Sequence, residues 1–151
     1  MLGRGGRGAM TYAFGWALQQ GVFAALSAHP DIAALVADRI HDEPPHRGEL
    51  DAATAAAPYL LLGEETVAPW DTASDRGAAH DLSISAVSSE PGFATVKRIA
   101  AAVCDALDGE IALARGRVAA VRFLGARTAR GRRGQARRID MRFRVIVEDA
   151  S

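Results

Sequence analysis

The stretch that decides the fold is Val118-Ala119-Ala120-Val121-Arg122-Phe123-Leu124-Gly125-Ala126-Arg127-Thr128, followed after a Gly/Arg loop by Arg138-Ile139-Asp140-Met141-Arg142-Phe143-Arg144-Val145-Ile146-Val147-Glu148. In the second segment Ile139, Met141, Phe143, Val145 and Val147 alternate with mostly charged neighbours, broken only by Ile146. Side chains on a strand point to opposite faces in turn, so this pattern predicts one face for a core and one for solvent. The two segments therefore form a long C-terminal β-hairpin. Between Arg115 and Arg144 stand eleven arginines and one acid, Asp140, whereas residues 31–110 hold fifteen acids and five basic residues. A formal net charge of zero hides this asymmetry, which suits meeting charged partners, including copies of the chain itself.

Working outward, Leu82, Ile84 and Ala86 alternate with Asp81, Ser83 and Ser85, giving a half-buried strand from His80 to Ser88. The short apolar run Tyr59 to Gly63, bounded by Pro58 and Glu64, reads as another strand, and the residues from Glu64 through Pro69 and Trp70 to Gly77 as a polar loop. Phe93, Val96, Ala100, Val103 and Leu107 make one face of a helix, with Ser89 as its cap, Pro91 in its first turn and Gly109 at its end. Phe14, Leu18, Val22 and Leu26 mark a first helix from about Tyr12 to Ala28, closed by Pro30, and Asp31 caps a short second one carrying Ile32, Leu35 and Val36. His41 to Leu50, with two prolines and a glycine, reads as loop. The expectation is one α+β domain over residues 13–151: a four-stranded antiparallel sheet with two main helices on one face. Residues 1–12, rich in glycine and arginine, read as a flexible tail.

Chemistry is hard to place on this chain. Gly3, Gly5 and Gly8 match a dinucleotide fingerprint by letter, but no strand precedes them. His41, Asp42, Glu43 and His46 lack a recognised ligand spacing, and His80 with Ser83 or Ser85 lacks the sharp turn that exposes a nucleophile. Cys104, the single cysteine, lies beside the apolar stripe of its helix, where it packs as a small hydrophobe. The reading is thus a non-enzyme with no catalytic residue, cofactor or metal. The longest uncharged stretch, Gly8 to Ala28, contains Gln19, Gln20 and Gly21 and is amphipathic, so no membrane span is expected. What stands out is the arginine set Arg127, Arg130, Arg132, Arg133, Arg137, Arg142 and Arg144, predicted to meet a neighbouring subunit or other partner. A row of like charges on adjacent strands repels itself and suggests something that neutralises it.

Four segments in fixed order resemble the tail-completion, or tail-terminator, proteins of long-tailed phages and gene transfer agents. They are Ala17 to Leu26 leading to Arg39-Ile40-His41-Asp42; Pro58-Tyr59-Leu60-Leu61-Leu62-Gly63-Glu64; His80-Asp81-Leu82-Ser83-Ile84-Ser85 ahead of the helix from Ala94 to Leu107; and Val121 to Thr128 with Met141-Arg142-Phe143-Arg144. The resemblance implies a structural protein of a phage-like particle, assembled in the bacterial cytoplasm and located at the junction of tail and neck. It implies a homohexameric ring that caps the tail tube protein and meets a head-tail stopper or connector, with DNA passing through the lumen without sequence-specific binding. The competing reading is a small nucleic-acid-binding module that lays the arginine hairpin on phosphates.

Overall fold

The computed structural model describes residues 13–43, 57–70, 76–130 and 136–149. In chain order the elements are α1 (Gly15–Ala28), α2 (Pro30–Val36), β1 (Ile40–His41), β2 (Tyr59–Pro69), β3 (Gly77–Ser88), α3 (Ala94–Asp108), β4 (Arg117–Arg130) and β5 (Arg137–Glu148). The expected tail 1–12, the loop residues 44–50 and the hairpin loop residues 131–135 lie outside the described residues.

The expected four antiparallel strands are present, but the sheet has five, ordered β1-β2-β3-β5-β4, and is mixed. The extra strand β1 pairs parallel to β2 through Ile40↔Leu60 and His41↔Leu61. At two residues it has no periodicity of its own to read; it exists because Leu60 N–H donates to the Arg39 carbonyl across the gap. β2 also runs on past Gly63 to Pro69, where a polar loop was expected. A bulge between Leu62 and Glu65 absorbs the irregular residues and pairing with β3 resumes at Glu65↔Leu82. β3 likewise starts at Gly77, three residues before His80.

The helices depart from expectation at their starts. α3 begins at Ala94, with Phe93 at the N-cap and no side-chain cap, so Ser89 and Pro91 precede it and do not open it. The approach is held instead by Ser88 Oγ accepting from Glu90 N–H and by Thr95 Oγ1 donating to Glu90. Pro30 does not merely close α1: it is the first residue of α2, where its missing N–H costs nothing, and Asp31 sits in that first turn near the positive helix end and does not cap it.

Leu18, Val22 and Leu26 of α1, Ile32 and Val36 of α2, and Val96, Ile99, Val103 and Leu107 of α3 form one core with Leu60, Ile84, Met141, Phe143 and Val145 of the sheet. All three described helices thus serve the single apolar face anticipated from the hairpin, and among the described residues no helix lies on the opposite sheet face. Two aromatics of α1 point the other way: Trp16 and Phe23 are 67% and 45% exposed.

Candidate assembly interface

The sheet face that no described helix covers is built by the outward residues of β3, β5 and β4, with β2 at its margin. Register sets them side by side: Asp81↔Arg144, Ser83↔Arg142 and Ser85↔Asp140 across β3 and β5, then Arg122↔Arg144 and Arg127↔Asp140 across β5 and β4. Arg122 opposite Arg144 is a like-charge pair of the kind predicted for adjacent strands, although Arg122 is not among the arginines singled out. The rest of the row differs from a bare stripe of arginines, because two aspartates sit inside it.

Asp81 takes a bidentate pair of hydrogen bonds from Arg144, Nε to Oδ1 at 2.7 Å and a terminal nitrogen to Oδ2 at 2.9 Å, with Arg142 at 3.8 Å. Asp140 accepts from Ser85 Oγ at 2.6 Å and from Arg138 Nε at 2.9 Å, and Arg127 stands 3.7 Å from its second oxygen. Bidentate guanidinium–carboxylate geometry fixes orientation as well as charge. At the far end of the row Arg117 donates to Glu148 at 2.6 Å, and Glu64 joins from β2, so the face carries Arg117, Arg122, Arg127, Arg138, Arg142 and Arg144 against Glu64, Asp81, Asp140 and Glu148, a modest positive excess. Arg127 and Arg142, with side chains 80% and 62% exposed, present their charge to solvent.

These contacts set the acid behaviour of the fold. The hydrogen bond from Arg144, with the charges of Arg144 and Arg142, holds the Asp81 carboxyl below the ordinary value. Burial works to raise Asp140, but hydrogen bonds from Ser85 and Arg138 and the charges of Arg138 and Arg127 outweigh it, so it too lies low. Carboxylates with depressed native values stabilise the fold fully above the unfolded value and lose that contribution as pH falls through the native one. Chemical denaturation followed from pH 7 downward should show this part of the stability intact above the ordinary aspartate value of 3.8 and lost below it. Asp81→Asn/Asp140→Asn should remove that segment of the pH dependence.

Not every arginine singled out from sequence joins this face. Arg137 lies on the helix side, its guanidinium 5.7 Å from the Phe93 ring at the start of α3. Arg130, its β4 partner in register, is exposed at the last described position before the hairpin loop. Arg132 and Arg133 lie outside the described residues. Sequence reasoning missed Asp81 as a counter-ion, although its outward parity on β3 was readable; the register that brings it to Arg144 was not. Elsewhere, His80 is fully buried and its Nδ1 lies 3.2 Å from Glu65, which the β2 bulge turns toward the helix side. His41 packs against Tyr59, and burial raises the Cys104 thiol, with Asp105 adding to it. No helix among the described residues is long and apolar enough to cross a membrane.

A family model described as Tail completion protein gp17 matches residues 20–148. A solved chain from the virion of a native gene transfer agent particle superposes with a TM-score of 0.78 and 40% identity, covering 91% of this chain and 98% of that one. No individually curated protein sequence matches significantly.

Proposed function

Since the chain belongs to the Tail completion protein gp17 family, a structural protein of the tail in phage-like particles, we propose that it closes into a homohexameric ring on the end of the tail tube. In that position it stops tube growth and joins the tail to the head-tail stopper or connector, while DNA passes through the lumen. The match at 40% identity to a chain of a gene transfer agent particle, over almost the full length of both, is the observation that carries this reading. The sheet supports it. Its two edges, β1 and β4, lie on opposite sides of the subunit, as a head-to-tail contact that closes by rotation requires.

The nucleic-acid reading loses ground on the same face. Phosphate binding by an arginine ribbon needs uncommitted guanidinium groups, and here Arg138 and Arg144 are hydrogen-bonded to the chain's own carboxylates, with Arg127 and Arg142 close by. A ring subunit needs only a residual positive excess to orient a neighbour.

Deleting the gene from a producing cell tests the proposal. Electron microscopy should then show DNA-filled heads and tails that are separate, with tail length no longer sharply capped, and gene transfer should drop to background. Joined particles of normal length from the deletion strain would exclude the role.

A further inference from the structure

Resting on the ring reading above, we propose that the groove between α1 and the β1–β2 edge is the receptor for the β4 edge of a second copy. The groove has a volume of about 560 Å³ and is lined by Trp16 and Phe23 of α1, Ile40 of β1, Leu62 of β2, and Asp42 and Glu43 just beyond β1. Gln19, Gln20 and His41 complete the lining, so the groove combines apolar side chains with polar ones and two acids. Both acids and both aromatics are exposed.

The opposite edge of the same subunit carries the complement. On β4, Phe123 and Leu124 are 56% and 38% exposed; Phe123 lies on the helix side beside Phe143, with Arg130 further along that side, and Leu124 lies on the opposite face with Arg122 and Arg127, so the edge shows an apolar residue and arginines on both of its faces. Leu124 is the extra residue of a bulge between Phe123 and Gly125, which takes it out of the ladder with β5. Each subunit thus offers aromatic and acidic groups at one edge of the sheet, and apolar and basic groups at the other. Apolar anchors surrounded by opposite charges are the composition of a specific contact, the anchors giving most of the affinity and the charges the orientation. A copy that docks its β4 edge leaves its own groove open for the next, so the contact is heterologous and repeats.

A pair of charge-reversed variants tests this directly. Asp42→Arg/Glu43→Arg makes the groove basic, and Arg122→Glu/Arg130→Glu makes the edge acidic while leaving the Arg127–Asp140 pair intact. All four side chains are exposed, so each full-length variant should melt like the wild type. Light scattering of the proteins, free and on purified tail tubes, should show each variant alone assembling roughly tenfold less than wild type. An equal mixture should recover assembly, because a basic edge then meets an acidic groove and an acidic edge a basic groove. If wild type assembles and either variant alone does so equally well, or the mixture does no better than its parts, this docking is wrong and the ring reading survives. The groove is then filled by another partner, such as the tail tube. If wild type fails to self-associate even on tubes, the ring reading falls and takes this contact with it.

Discussion

Phe143→Ala should destabilise the chain by about 3–5 kcal/mol, the loss that follows from deleting a buried phenyl ring and leaving a cavity. Phe143 is 2% exposed at the middle of β5, between Leu82 of β3 and Phe123 of β4 in register. Its ring meets Phe123 edge to face, with centroids 5.6 Å apart and planes at 61°. Truncation removes this contact together with the packing of β5 into the common core beneath the helices. A single domain has only about 5–15 kcal/mol of stability in total, so the variant sits near the threshold of folding. Urea denaturation should give a much lower midpoint at unchanged slope, and Tm should fall by roughly 6–20 °C. A change below about 1 kcal/mol would mean the centre of the hairpin is not a core position.

The second large effect comes from a residue with no side chain. Gly21 is buried in the middle of α1, and a Cβ built there would stand 2.6 Å from Leu113 Cδ2 and 2.8 Å from the Ala112 carbonyl oxygen. The segment after α3 crosses α1 at that point, with Ile111 Cγ2 also 3.2 Å away. Leu113 could swing aside, but the carbonyl belongs to the backbone and moves only with the segment. Gly21→Val should therefore cost about 1–3 kcal/mol by overpacking, although replacing a mid-helix glycine ordinarily helps. Gly109→Ala is the control: its Cβ would be 3.5 Å from the Ala106 carbonyl oxygen, an ordinary contact, so the effect should stay within about 0.5 kcal/mol. Equal melting curves for the two variants would show that α1 has room at Gly21.

How much of this was legible beforehand divides along the range of the forces involved. Alternation over Arg138 to Val147 gave β5 almost to the residue, because one buried face per strand writes itself into every second position. The stripe Phe14, Leu18, Val22, Leu26 gave α1 in the same way. β1 could not be read, since two residues carry no period and their strand geometry is imposed by Leu60. The continuation of β2 through Glu64 to Pro69 was hidden by the bulge, which puts Glu65 and Val67 back in register after the polar residues have broken the pattern. At the site, the arginines were visible as composition. Their pairing with Asp81 and Asp140 was not, because it depends on which residue of one strand falls beside which of the next. The groove of Trp16 and Phe23 left a faint trace: two aromatics seven apart, off the line of the buried stripe.

The two irregularities of β4, at Ala119 and Leu124, bear on how many copies could join in the proposed ring. A long, flat, uninterrupted margin would template the addition of strand after strand, an open polymer with no natural stopping point. Here the ladder with β5 is thrown out of step twice within fourteen residues, which twists the edge and disfavours a runaway fibril along it. In the proposed ring, recognition between neighbours would then be left to side chains, which permit one geometry and a countable number of members.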